Sequence, residues 1–379
     1  MSMLSSPSIT TNGLVFYYDM NNTFNSFKGA PTTNQVSNAA SFSGWNYYWR
    51  TDYINTFTTE FGTTGYRITG NPSWNGLYRT FNLGSTGTYT FSAWFRYWGG
   101  TGNNNGATVY VSNYGGGDTA AGIDKNKVGI WQRISHTVSV TSPSNVYLYF
   151  ISYGGDSSGR ADCSTWDITM PQIESGSFAT GFVDGTRSNT QALLDLTNNN
   201  TITAQSLTYA SNETFSFNGS QYLSIPDNAL IRPSSGYITT EVWFKATATG
   251  SQNGSILINK ENEYEISAGG GYITYAFRPN WAWVGATAFN TNQNYCVTIT
   301  YDQINQRMYL NGVEVYSAAL TGAIGNVYSD TLKIGARGGT GSTYDYFTGN
   351  IYSVKIYNRA LSASEVAQNF AAQRGLYGV

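Results

Sequence analysis

Thr88–Arg96 reads TYTFSAWFR and Tyr237–Lys245 reads YITTEVWFK, so Trp94 answers Trp243, Phe95 answers Phe244 and Arg96 answers Lys245. Side chains along an extended strand alternate between faces. Ala93 and Phe95 (or Val242 and Phe244) therefore point one way, and Ser92, Trp94 and Arg96 (or Glu241, Trp243 and Lys245) the other. A strand this apolar on both faces belongs in the middle of a sheet. Its return after about one domain length implies two successive β-sandwiches.

Composition agrees. The 379 residues have room for two domains, and with 11% charged residues, 16% aromatics, 30 Tyr and 42 Gly the chain is poor in surface helix formers and rich in strand formers. The expected fold is all-β: two tandem antiparallel β-sandwiches, a short C-terminal helix and an N-terminal extended arm. The formal charge is −2, with no basic tract to neutralise a row of phosphates, so nucleic acid is excluded as a partner. No apolar run approaches the ~18–20 residues of a spanning helix, and MSMLSSPSITTNG lacks the positive start and apolar core of a signal peptide. Neither membrane insertion nor general secretion is expected. Cys163 and Cys296, one per proposed domain, read as reduced thiols.

The expected domains are an arm over residues 1–41, a first sandwich over 42–187 and a second over 188–379. The arm holds one strand-like run, GLVFYYDM (Gly13 to Met20), followed by turn formers; it is expected to pack on the first sandwich or to reach a neighbouring subunit. Strands are expected at Tyr66–Thr69, Leu77–Leu83, Thr88–Trp98, Ala107–Ser112, Trp131–Val140, Asn145–Ser152 and Trp166–Met170, separated by clusters such as GGTGNNNG and NYGGGD. In WQRISHTVSV the single histidine, His136, shares an apolar face with Ile134, Val138 and Val140, which suits a core position better than a catalytic base. Without a second histidine no His-based metal cluster can form; neither a metal nor a cofactor is expected. In the second half, Asn311-Gly312 between alternating strands predicts a two-residue hairpin turn with both residues at positive φ. Ser362 with Glu365 predicts a helix-capping box, Leu361 and Val366 a hydrophobic staple, and Gly375 a helix stop after an end near Gln373.

Two resemblances follow from these words. Gln172, Ile173, Glu174, Gly176, Ala179, Thr180 and Phe182 resemble the close of the carbohydrate-binding-module-like jelly rolls of tailed-phage virion proteins. From Thr214 to Phe370, the ordered set YITTEVWFK, SILINKENEYEIS, NYCVTITYD, RMYLNGVEVYS, TLKIGARG and YFTGNIYSVKIYNRALSASEVAQNF resembles the laminin-G-like, concanavalin A-like lectin/glucanase sandwich. Where many of that group carry Gly-x-Ile-Asp, this chain has Gly349, Asn350, Ile351 and Tyr352, which places a family calcium site in doubt. The opening GLVFYYDM…GAPTTN and the ending IYNRALS…QNF also resemble cyanophage-type structural proteins. The resemblance implies a virion protein (fibre, tail adhesin or capsid decoration) assembled in the host cytoplasm. It would be a homo-oligomer, with other virion proteins and host-surface glycans as partners.

For recognition, flat rings offer apolar area at low entropy cost, and the stripes Trp281/Trp283 in RPNWAWVG and Trp45/Tyr47/Trp49 in GWNYYWR are the candidate carbohydrate contacts. For catalysis, Glu261, Glu263 and Glu265 in KENEYEIS would share one face of a strand, ~6.6 Å apart along the backbone, a spacing usable in glycoside hydrolysis. Glu263 stands where the glucanase pattern has Asp, and a solvated strand edge is the plainer reading. The chain is expected not to be an enzyme. A stand-alone carbohydrate-binding protein, a glycoside hydrolase using this strand, and a purely structural protein of lectin architecture are the alternatives.

Overall fold

The computed structural model describes residues 8–23, 25–48, 51, 54–71, 75–100, 107–152, 164–209, 215–233, 235–324, 329–339 and 341–379. The chain divides into two compact units, Pro31–Arg187 and a unit made of Met1–Ala30 together with Ser188–Val379. Both are antiparallel β-sandwiches.

In the N-terminal unit one five-stranded sheet runs, in spatial order, Trp131–Val140, Gly87–Gly99, Ser164–Ser175, Thr64–Asn71, Ile54–Thr58. The other runs Asn46–Tyr48, Gly76–Phe81, Val146–Ser152, Ala107–Ser112, Thr119–Gly122. Phe91, Ala93 and Phe95 of the first sheet and Leu77, Val109, Leu148 and Phe150 of the second share one apolar core. Alternation thus holds as read from TYTFSAWFR. The Gln-Ile-Glu motif is a clamp: buried Glu174 accepts the Thr180 N–H at 3.0 Å and its hydroxyl at 2.8 Å, and Gln172 Oε1 accepts the Val183 N–H at 3.0 Å. His136 lies on the core side of its strand, half-buried, with Nε2 2.6 Å from the Thr119 hydroxyl; burial lowers its pKa.

In the C-terminal unit a seven-stranded sheet runs Thr203–Gln205, Tyr222–Ile225, Leu332–Ile334, Ile256–Lys260, Tyr264–Gly269, Tyr272–Phe277, Val284–Ala288. It faces a sheet running Thr208–Tyr209, Phe215–Asn218, Thr348–Tyr357, Ile238–Ala246, Tyr295–Tyr301, Asn305–Leu310, Val313–Ala319. Asn311 and Gly312 (φ 51° and 78°) make the expected hairpin turn.

The arm expected over residues 1–41 is not an arm. Leu14–Asp19 pairs antiparallel with Thr348–Tyr357, Tyr18 opposite Val354 and Asp19 opposite Ser353, and Val15, Phe16, Tyr18 and Met20 enter the second core. The physical reason is a vacant edge. Thr348–Tyr357 is long, and on that side Phe215–Asn218 covers only its start, with Phe217 opposite Gly349. Residues 31–41 instead join the first sandwich: Val36 and Ala39 lie in its core, and Thr32–Thr33 pairs with Thr186–Arg187. The second unit is therefore drawn from both ends of the chain.

The helix Ala363–Tyr377 starts as expected. Ser362 Oγ accepts the Glu365 N–H at 3.3 Å, Glu365 Oε2 accepts the Ser362 N–H at 2.9 Å, and Leu361 and Val366 share a small cluster. It ends later than expected, at Gly378 (φ 66°) and not at Gly375. A mid-helix glycine costs about 1 kcal/mol, which the stacking of Tyr377 on Trp243 at 4.6 Å opposes. Side-chain hydrogen bonds from Arg359, then the Ser362 backbone and hydroxyl, hold the Glu365 carboxyl down to about 2 from an ordinary 4.5. Because the folded value is depressed, this contribution is complete above pH 4.5 and is lost as pH falls toward 2. Glu365→Gln is expected to lower stability at pH 7 by about 0.5–2 kcal/mol and to flatten the acid limb between those values, read from urea midpoints against pH.

Candidate functional site

The outer face of the seven-stranded sheet carries one row across six strands, polar in its first five members: Thr203, Ser224, Lys333, Asn259, Glu265 and Ala276 lie opposite one another in turn. Their sequence neighbours Leu223, Leu332, Ile258 and Ile266 fill the core, so alternation sends these residues outward. Residues 335–339 and 341–347 lie over this row. Lys333 Nζ donates to the carbonyls of Gly338 and Gly339 (2.7 Å each) and of Ser342, and Asn259 Oδ1 accepts the Gly338 N–H at 3.1 Å. Burial lowers the Lys333 pKa. Arg337 donates from Nε to Glu265 Oε1 at 2.5 Å and from Nη1 to Asp345 at 2.9 Å, and its guanidinium sits 5.0 Å from the Trp283 ring centre. Burial pushes the Glu265 carboxyl up to about 7 despite that partner, and its Oε2 makes no hydrogen bond.

Two open features flank the pinned segment. On one side Tyr222, Ser224, Thr331, Lys333 and Thr343 line a cleft of about 300 Å³, with Lys333 Nζ 5.8 Å from the Tyr222 ring centre. On the other side half-buried Trp283 and 45% exposed Tyr344 both lie by Arg337, which exchanges backbone hydrogen bonds with Tyr344. A ring edge beside a fixed guanidinium, and a cleft lined by the hydroxyls of Tyr222, Ser224, Thr331 and Thr343, suit a polyhydroxylated ligand.

The sequence candidates are dispersed. Trp283 is at this site. Trp281 is half-buried in the preceding turn at φ 46°, so the two do not form an extended stripe. Trp45 is a core residue, 8% exposed and stacked on Phe150 at 4.7 Å, because it precedes the strand Asn46–Tyr48 and the turn at Gly44 (φ 77°) directs it inward. Tyr47 is 44% exposed. Trp49 and Cys163 lie outside the described residues. The acidic strand is also different: Glu261 and Glu263 stand in the turn joining Ile256–Lys260 to Tyr264–Gly269, with Asn262 at φ 59°, and only Glu265 is on a strand. The three carboxylates do not share a strand face.

Sequence reasoning missed a tyrosine cluster on the outer face of the N-terminal unit's second sheet. Tyr149 lies 5.3 to 6.0 Å from Tyr48, Tyr78, Tyr110 and Tyr147, ring centre to ring centre. Its signal was the alternation of Tyr147 and Tyr149 with Leu148 and Phe150. Cys296 is buried against Trp243 and Tyr377, and burial raises its pKa. Among the described residues no three His, Cys, Asp or Glu side chains converge as a metal site, and no helix is long and apolar enough to cross a membrane.

Residues 217–367 match the sequence profile of the concanavalin A-like lectin/glucanases superfamily. That span is similar to the concanavalin A-like lectin/glucanase sandwich, as its motifs implied. No curated protein matches the chain. Among solved structures, the binding domain of Paraclostridial mosquitocidal protein 1 is similar at 17% identity over 47% of this chain and 49% of that one, TM-score 0.37. Domain 4 of an extracellular arabinanase from Geobacillus stearothermophilus, in complex with arabinotriose, is similar at 19% identity over 48% and 93%, TM-score 0.37. The binding domain of botulinum neurotoxin DC in complex with SialylT is similar at 13% identity over 48% and 49%, TM-score 0.38. The chain spans about half the length of the two toxin binding domains.

Proposed function

We propose that this chain is a glycan-binding structural protein of a tailed-phage particle, displaying its sandwiches as a fibre, tail-adhesin or capsid-decoration subunit. It assembles in the host cytoplasm with other virion proteins and with copies of itself, and holds host-surface glycans. The observation that carries the binding half is the pairing, on a concanavalin A-like lectin sandwich, of a hydroxyl-lined cleft at Lys333 with the open aromatic edge of Trp283 and Tyr344. What supports the particle half is the likeness of the chain's opening and ending to cyanophage-type structural proteins, together with its low charge. The hydrolase alternative loses its main support, since Glu261 and Glu263 stand in a turn.

Calorimetry against glycans extracted from host surfaces tests the first half. Saturable binding is expected, and Trp283→Ala should weaken it about ten-fold, equivalent to about 1.4 kcal/mol, with no change in fold; equal binding by the variant would remove Trp283 from the site. Proteomics of purified particles tests the second half. Absence of the chain from particles, with glycan binding intact, would favour the stand-alone carbohydrate-binding protein.

A further inference from the structure

We propose that the outer face of the N-terminal unit's first sheet is a second glycan site, one for a neutral sugar residue presenting adjacent hydroxyls. This rests on the glycan-binding reading above and adds a location and a ligand class to it.

The sheet sets five residues in one row across all five of its strands. Trp131 lies opposite Arg96, Arg96 opposite Asp167, Asp167 opposite Arg67, and Arg67 opposite Asn55. Asp167 is fully buried and accepts five hydrogen bonds. Oδ1 accepts Arg67 Nε at 2.6 Å; Oδ2 accepts Arg67 Nη2 at 2.9 Å, Arg96 Nε at 3.1 Å, Arg96 Nη2 at 3.0 Å and the Trp98 indole N–H at 2.8 Å. A buried carboxylate between two guanidiniums fixes both in position. Glu60 closes the arrangement from the turn beside the row: its Oε1 accepts Arg96 Nη1 at 2.9 Å and the Trp131 indole N–H at 2.5 Å. A backbone hydrogen bond at its own residue, then Trp131 and Arg96, hold the Glu60 carboxyl below its usual range.

What this network leaves over defines the ligand. Arg67 Nη1 and Glu60 Oε2 take no part in it, and their side chains are 41% and 50% exposed. Both residues line one cleft of about 310 Å³ with Asn55, Phe57 and Arg96. The cleft thus offers one charged donor and one charged acceptor, and the two Arg, Asp167 and Glu60 together sum to no net charge. A carboxylate or phosphate drawn to Arg67 would meet Glu60, and a cation would meet the reverse. A hydroxyl pair can give to one and take from the other. Phe57 lines the cleft, and exposed rings adjoin its lining: Trp98, 42% exposed, has the Arg67 and Arg96 guanidiniums 5.1 and 4.8 Å from its ring centre, and Phe61, 44% exposed, lies 5.6 Å from Trp131 and 6.1 Å from Trp94. An exposed ring beside a donor and acceptor is the chemistry of sugar stacking.

The full chain and its Glu60→Ala, Trp98→Ala, Arg67→Ala and Trp283→Ala variants should be titrated by calorimetry with neutral and with sialylated or uronate oligosaccharides, after a thermal melt confirms each fold. Neutral oligosaccharides are expected to bind, and Glu60→Ala and Trp98→Ala each to weaken them about ten-fold, while Trp283→Ala keeps this component. Loss confined to Trp283→Ala would overturn the second site and leave the glycan-binding reading standing. A preference for acidic sugars abolished by Arg67→Ala would overturn the ligand class. Failure of every oligosaccharide to bind would overturn both readings.

Discussion

A fragment comprising residues 188–379 is expected to fail to fold, although it contains every residue that matches the lectin superfamily profile. Its sheet is completed by Leu14–Asp19, and Val15, Phe16, Tyr18 and Met20 are 5% exposed or less in its core. Withdrawing four such side chains forfeits about 1.5–3 kcal/mol each as an upper estimate. Summed, this is comparable with the whole stability of an ordinary domain, about 5–15 kcal/mol. The polar cost adds to it. Asp19, 4% exposed, accepts the Tyr377 hydroxyl at 3.0 Å and the Gln373 amide at 2.9 Å, so its removal strips the helix of buried partners. Near-UV circular dichroism and urea unfolding of the fragment should show no cooperative transition, and a peptide of residues 8–21 added in trans should restore one. A fragment melting at the temperature of the full chain would refute the strand's role. If particle incorporation is lost on deleting residues 1–41, unfolding of the C-terminal sandwich then accounts for it without any docking arm.

Glu241→Ala is expected to cost about 3–5 kcal/mol, the largest effect of any single substitution considered. Glu241 and Lys355 are both fully buried on the outer side of the strand pair beneath the helix, 2.5 Å apart. Glu241 also accepts the Asn369 amide at 3.1 Å and the Trp243 indole N–H at 3.3 Å, and Lys355 donates as well to Gln373. Removing the carboxylate leaves an ammonium without its counter-charge in a site that water does not reach. Replacing both partners with apolar residues of similar volume removes that penalty, so Glu241→Met with Lys355→Met should recover most of the loss. Urea midpoints of the two single variants and the double variant give the coupling. A single-variant loss under about 1 kcal/mol, the range of a surface ion pair, would mean that the pair is solvated.

Much of the second sandwich was legible because its signals are local. The Asn311-Gly312 turn and the Ser362–Glu365 box each depend on residues a few positions apart, and both form as read. The glutamate run misled for the same reason. Alternation along KENEYEIS assumes that the strand continues, whereas the hydrogen bond from the Glu263 N–H to the Lys260 carbonyl closes a turn inside it. Trp45 misled because one residue outside a strand no longer obeys its alternation. The row of Trp131, Arg96, Asp167, Arg67 and Asn55 could not have been assembled from spacing, since its members come from five separate strands and meet only through register.

By itself the sequence determined which side of each strand is apolar: Phe95 and Phe244 face their cores, while Trp94 and Trp243 face outward in mid-sheet strands of separate units. Tertiary structure alone decided what became of those outward faces. In the second unit the C-terminal helix lays Phe370 and Tyr377 on Trp243, which is wholly buried. In the first, Trp94 remains half-buried on the sheet face that carries the row of charges, with Phe61 6.1 Å away. Alternation is a property of neighbouring residues, whereas coverage is set by segments far along the chain, and a periodic pattern carries no information about what will lie across it.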